Sequence, residues 1–179
     1  MSNEAALPSP ASSLPDTTLM TAGELWAHRD RMEAESASLL GHMLLGLSRI
    51  EVNLGLTLVW VNGGKQLEVL TPKVAALNLS EKLGRLEKEV AAKHPPGSKR
   101  RAAYGAWIER MHKVRAQRNE MVHGRWGIEA HKNVVVNVIG LPTGDQRVVE
   151  YTLAELAEVN EELRALDLEL RRLRDHWPI

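Results

Sequence analysis

The segment from Leu25 to Val61 carries apolar side chains at helical spacing, and it constrains the fold more than any other part of the chain. Residues three or four positions apart share one face of an α-helix, so the pattern predicts a long helix, either continuous or broken near Glu35 to Ser38. Thr21 and Glu24 match a capping box at its start, and Asn62-Gly63-Gly64 predicts its end. The second half is dense in leucine, which predicts a helix at the centre of a bundle.

Two shorter features follow this helix. We interpret Lys65 to Leu77 as a connector, because it contains a Thr-Pro pair. Ser80 is a candidate N-cap for a helix over Glu81 to Lys93, and His94-Pro95-Pro96-Gly97 predicts the end of that helix. The pattern therefore predicts a second, separate helix of the bundle.

A long helix is predicted from Lys99 to His123, with Ser98 as its N-cap. Gly124 follows its last turn, where we expect a left-handed backbone conformation that glycine adopts at little cost. Arg118 lies at the edge of the apolar face of this helix. We therefore expect its guanidinium to be partly buried and paired, or to lie at a subunit interface.

The apolar period changes after Gly124. Asn133 to Ile139 is β-branched and apolar, Gly140 to Gly144 is rich in turn residues, and Gln146 to Tyr151 resumes the strand pattern, which predicts a β-hairpin. A second capping box at Thr152 then begins a final amphipathic helix that runs to about Asp175.

These elements predict a mainly α fold: a bundle of four to five helices with a small β-hairpin inserted before the last helix. Residues 1–17 contain prolines and serines without periodicity and are expected to form a disordered N-terminal tail. Residues 18–179 are expected to form one helical domain.

Composition excludes several classes of protein. The chain has no Cys and a formal net charge of zero, so thiolate chemistry is excluded and bulk charge does not indicate nucleic acid. A run of apolar residues long enough to cross a membrane and a signal-peptide pattern are both missing, so we expect a cytoplasmic protein without membrane contact. The sequence contains no phosphate loop, dinucleotide fingerprint or zinc ligand set, and we expect neither a metal nor another cofactor.

Charge is nevertheless unevenly distributed. The segment from Lys99 to Arg125 contains eight basic residues against two acidic ones, a net charge of +6. Such a helix indicates a local anion site, for which phosphate is the natural ligand. The alternative is a solvated face that pairs with the acidic last helix.

Arg118, Asn119 and His123 lie close together at the end of that helix. Arg118 is five residues before His123, so the two side chains point about 140° apart around a regular helix. They could meet at one point only if the helix end unwinds or a second copy of the chain supplies one of them. The ordinary alternative is a well-capped helix end, where basic residues followed by glycine are common.

An Arg, a polar residue and a His five positions after the Arg, at the end of a late helix in a small bundle, resemble the motif of the HEPN superfamily. The resemblance extends loosely from Thr21 to Asp175 and includes Gly124, Trp126 and the hairpin before the last helix. It implies a helical homodimer in which two copies of the motif face each other. Many such proteins are metal-independent endoribonucleases in toxin–antitoxin or phage-defence systems, whereas others are inactive nucleotide-binding, RNA-binding or protein-interaction modules.

The resemblance implies Arg118, Asn119 and His123 as catalytic residues. An imidazole can move a proton to or from the RNA, and a guanidinium can bind the phosphate oxygens. The expected partners are RNA, a second copy of the chain and an antitoxin or regulatory protein. The basic residues expected to contact nucleic acid are Lys99, Arg100, Arg101, Arg115 and Arg125.

Overall fold

The computed structural model describes residues Thr17–Ile179 as a helical bundle with one small antiparallel sheet before the last helix. This confirms the predicted fold class. The helices and strands of the described chain are α1 (Ala22–Val59), α2 (Leu67–Ala75), α3 (Leu79–Lys93), α4 (Lys99–His123), β1 (Arg125–Glu129), β2 (Val134–Ile139), β3 (Arg147–Tyr151) and α5 (Leu153–His176).

α1 is one continuous helix, without a break near Glu35 to Ser38. Thr21 and Glu24 form the predicted capping box at its start. The helix ends where Asn62 and the two glycines after it adopt positive φ angles. The predicted helix and both of its ends are therefore confirmed.

The core lies inside a ring of four helices, in which α1 and α4 each contact both α3 and α5. Its side chains come from every helix and from β2, and include Ile50, Leu54, Leu83, Trp107 and Leu166, all fully buried. Trp107 also donates its indole N–H to the Leu166 carbonyl at 2.9 Å, which fixes α4 against α5. A buried indole N–H needs a hydrogen-bond partner, and here the partner is on the neighbouring helix.

Two predictions about the region before α3 were wrong. Lys65 to Leu77 is not a simple connector, because it contains α2, with Pro72 inside the helix. α3 begins earlier than predicted: its N-cap is Asn78 rather than Ser80, and Asn78 forms a capping box with Glu81. Asn is as good an N-cap as Ser, and only Asn78 has a glutamate at the third helical position.

The predicted hairpin is confirmed as β2 and β3, but it belongs to a three-stranded sheet in the order β1-β2-β3. β1 was not predicted, since its five residues include a glycine and have charged residues at both ends. β1 follows α4 directly, so the sheet lies against the end of the helix that carries Arg118 and His123.

The predicted tail, residues 1–17, lies outside the described residues except for Thr17. That residue is buried, and its hydroxyl donates to the His131 carbonyl at 2.7 Å. The folded domain therefore begins at least one residue before the predicted boundary.

Candidate functional site

A groove of about 500 Å³ lies between α1, the start of α3 and the last turns of α4. Arg118 and Asn119 line it, together with Arg115 one turn earlier on α4. Asn78 and Ser80 line it from the start of α3. Its remaining lining residues come from α1 and from α3: Leu44, Leu47, Ser48, Glu51 and Leu79.

The charges in this groove favour an anion. Arg118 donates from Nη1 to the Asn119 Oδ1 at 3.0 Å, and neither Arg115 nor Arg118 forms an ion pair with a carboxylate in the described chain. Glu51 is the acidic residue of the lining, and Lys82 neutralises it at 2.7 Å. Two guanidinium groups therefore face the groove without a charge partner, which makes it suitable for phosphate.

His123 lies outside this groove. It is in the last turn of α4 and is exposed, whereas Arg118 and Asn119 are partly buried. Because α4 is regular to its end, the two basic side chains leave the helix about 140° apart. One chain therefore places Arg118 and Asn119 in the groove, whereas His123, one turn beyond Asn119, is not part of its lining.

Gly124 does not have the left-handed conformation that we predicted. Its φ is −83° and its ψ is 163°, which is extended backbone open to any residue. Glycine is needed there for a different reason: a Cβ at this position would overlap the side-chain amide of Asn137 on β2. The prediction failed because the constraint comes from a strand that is distant in sequence, not from the turn.

Sequence reasoning missed Asn137, and it named Trp126 only as part of the resemblance, without a role at the helix end. Asn137 is fully buried, and its Nδ2 donates to the Glu120 carbonyl at 3.1 Å. Trp126 donates its indole N–H to the Met121 carbonyl at 2.8 Å. Both bonds reach carbonyls in the last turn of α4, where the backbone leaves acceptors only partly satisfied. An amide inside the apolar stretch of β2 was the signal that could have revealed Asn137.

The predicted nucleic-acid residues do not lie together. Arg115 lines the groove with Arg118, whereas Lys99, Arg100 and Arg101 lie at the opposite end of α4. The 18 residues from Arg100 to Arg118 correspond to about 27 Å along the helix axis. Arg125 is exposed on β1, beyond the end of the helix, and does not line the groove. The basic segment is therefore divided among three surfaces.

Part of the basic segment pairs with the acidic last helix, as the alternative interpretation predicted. Arg110 binds Glu162 at 2.8 Å and Glu169 at 2.5 Å. The hydrogen bond to Glu162 is the main cause that raises the pKa of Arg110 above its ordinary value. Lys113 pairs with Glu109 on the same helix. Arg115 and Arg118 do not follow this pattern, so the positive charge of the groove is not neutralised by the last helix.

A buried pair of rings lies near the start of α4, away from the groove. His94 stacks on Tyr104 with ring centroids 6.4 Å apart, and its Nε2 finds no hydrogen-bond partner among residues 17–179. Burial lowers the pKa of His94, and the charges of Arg100 and Lys93 lower it further. Burial also raises the pKa of Tyr104 to about 12. These rings have a structural role, because Tyr104 donates to the Trp177 carbonyl and fixes the C-terminus.

Metal-ligating side chains do not cluster: within residues 17–179, three or more His, Asp or Glu never lie close enough to hold an ion. Of the helices described, none has an apolar stretch that could span a bilayer.

The fold and the groove define a small helical-bundle protein with an anion-attracting site at the end of α4. Comparison with protein-family models, with curated proteins and with solved structures found no match. Function is therefore inferred from the site itself.

Proposed function

We propose that the protein is an endoribonuclease of the HEPN type that needs no metal ion and acts as a homodimer. In this proposal Arg118 and Asn119 of one chain bind the scissile phosphate, and His123 of the other chain transfers the proton. The observation that carries it is the pair of uncompensated guanidiniums, Arg115 and Arg118, in one groove at the helix end that also bears His123.

The chemistry uses groups that this site and RNA can supply. The 2′-hydroxyl of RNA loses its proton to an imidazole and attacks the adjacent phosphorus, while the bond to the 5′-oxygen breaks. The leaving oxygen takes a proton from the imidazolium that this step forms, so the products are a 2′,3′-cyclic phosphate and a 5′-hydroxyl. Arg118 stabilises the extra negative charge of the pentacoordinate phosphorus. A two-fold dimer has two such sites, each with Arg118 of one chain and His123 of the other.

An exposed apolar stripe on α1 supports the dimer. Leu45, Val52 and Leu56 are each about half exposed and follow one face of the helix. A second, more apolar groove beside this stripe shares Ser48 and Glu51 with the Arg118 groove. A second copy seated on the stripe would therefore also border the Arg118 groove, where the missing His123 is needed.

One observation favours a second candidate, a binding module without catalysis. The groove has the volume of a small-ligand site and holds both arginines, yet His123 lies outside it. A phosphorylated ligand such as a mononucleotide would fit such a groove within a single chain. The ribonuclease requires His123 for its activity, whereas the binding module does not require it for binding.

The test is cleavage of a single-stranded RNA by wild type and by the Arg118→Ala and His123→Ala variants. We expect cleavage in excess EDTA, a 2′,3′-cyclic phosphate product, and resistance of a substrate with 2′-deoxyribose at the cut site. Both variants should be inactive, and His123→Ala should keep its fold because the side chain is exposed. Equal cleavage of the deoxy substrate would contradict the mechanism, and phosphate-dependent binding unchanged by His123→Ala, without cleavage, would support the binding module.

A further inference from the structure

The last turn of α4 is held by side chains of the sheet as well as by its own C-cap. Gly124 donates its N–H to the Glu120 carbonyl at 3.0 Å, and Asn137 on β2 donates to the same oxygen. Trp126 on β1 donates to the next carbonyl, that of Met121. Two consecutive carbonyls of the last turn are therefore fixed from outside the helix.

These contacts are specific, because each one depends on a particular residue. Gly124 is the residue that lets β2 approach the helix end, since any Cβ there would overlap the Asn137 amide. Asn137 is fully buried, and its Oδ1 has no hydrogen-bond partner within residues 17–179. An unpaired buried oxygen is unfavourable for folding, so this amide contributes mainly through the single bond that it donates to the helix.

The third strand, β3, supports the indole donor Trp126 and the side chain of Glu120. The Trp126 ring packs against Tyr151 of β3, with centroids 5.8 Å apart. Arg147 on β3 pairs with Glu120 at 2.6 Å. All three strands therefore contact the turn that ends in His123, while the exposed His123 side chain is left free to face a substrate or a second chain.

We propose that the three-stranded sheet is a positioning device for His123, with Asn137 and Trp126 as its positioning residues. Helix ends fray, and a residue in the last turn of an unsupported helix samples several positions. A proton-transfer group must be held within a few tenths of an ångström of its target, and a displacement of about 1 Å can cost roughly 100-fold in rate. The expected effect on catalysis rests on the proposed function, whereas the expected loosening of the last turn does not.

The test removes each contact with little change to packing. Asn137→Ala removes the amide, and Trp126→Phe keeps a ring against Tyr151 but removes the indole N–H. In both variants we expect amide hydrogen exchange to become about tenfold faster for Met121 to Gly124, with the first half of α4 unchanged. For RNA cleavage we expect kcat to fall by about 100-fold with KM unchanged.

A second pair of variants tests the close approach itself. Gly124→Ala should loosen the last turn as Asn137→Ala does. In the double variant, the loss of stability of the last turn should be smaller than the sum of the losses in the two single variants, since Asn137→Ala makes room for the new Cβ. Gly105→Ala is the matched control on the same helix, because its Cβ would meet nothing within 4 Å. It should leave the exchange of the last turn and the RNA cleavage unchanged, although Ala is a better helix former than Gly near position 105 itself.

The outcomes separate this proposal from the proposed function. If wild type cleaves no RNA, the proposed function fails, but faster exchange confined to the last turn in the variants still supports the role of the sheet in holding that turn. Uniformly faster exchange along all of α4 would show a merely structural role and overturn the proposal. Cleavage with unchanged kcat in a variant whose last turn is loosened would overturn it as well.

Discussion

Val52 lies in the exposed apolar stripe of α1, where 59 % of the residue is accessible to solvent. Leu45 and Leu56, on the same stripe, are 56 % and 46 % exposed. Full burial of such a side chain is worth about 1.5–3 kcal/mol, so covering the exposed half of each contributes about 1 kcal/mol. In a two-fold dimer every residue counts twice, because the same surface of both chains is covered.

Val52→Glu should therefore weaken the dimer strongly. The loss of apolar burial is about 2 kcal/mol per dimer, which corresponds to a roughly 30-fold higher Kd. Two desolvated carboxylates in the same interface add to this loss. The folded chain itself should keep its stability within about 0.5 kcal/mol, because the substitution is on the exposed side of the helix.

Sedimentation velocity over a dilution series measures this shift. Val148→Glu is the matched control, since Val148 on β3 is also 59 % exposed but lies outside the stripe. It should dimerise as wild type does. A Val52→Glu protein with an unchanged Kd, or a wild type that stays monomeric at micromolar concentration, would refute the assignment of α1 as the interface.

Two further predictions concern charge. Arg115→Ala should weaken the binding of any single-stranded RNA and reduce the slope of log K against log salt by about 0.7. The double variant Arg100→Ala with Arg101→Ala should weaken binding only for RNAs longer than about eight nucleotides, because only these can span the roughly 27 Å between the two ends of α4. Equal effects of both sets on a four-nucleotide RNA, measured by fluorescence anisotropy, would contradict the separation of these surfaces. Burial lowers the pKa of His94 below 6.5 in the folded chain, so the unfolded chain binds a proton more readily and stability should fall as the pH drops below about 6.5. His94→Phe should flatten this part of the pH dependence of thermal unfolding, and an equal pH dependence in both proteins would show that other groups cause it.

The parts of the fold that were predicted correctly are those whose causes lie within a few residues. The capping boxes at Thr21 and Thr152 pair residues three positions apart, and the helical period of α1, α4 and α5 repeats every three to four residues. α2 was missed because Thr71-Pro72 suggests a break. The proline is nevertheless inside that helix, where Val74 is buried and the Thr71 hydroxyl donates to the Leu67 carbonyl.

The candidate site was only partly accessible to sequence reasoning. The spacing of Arg118 and His123 correctly implied that they diverge, because that follows from helix geometry alone. The link between Gly124 and Asn137 joins residues 13 positions apart through a strand pairing. The grouping of Arg115 with Asn78 and Ser80 likewise depends on how α3 meets α4. Such contacts are set by tertiary packing, which no local pattern specifies.

Mixing two inactive variants tests the central claim most directly. If each site takes Arg118 from one chain and His123 from the other, a dimer of one Arg118→Ala chain and one His123→Ala chain keeps one intact site. After denaturation and refolding at equal amounts, random pairing should restore about a quarter of wild-type RNA cleavage, since half of the dimers are mixed and each mixed dimer has one of two sites. Each variant refolded alone should stay inactive. A mixture that remains inactive although mixed dimers form would contradict a site shared between two chains.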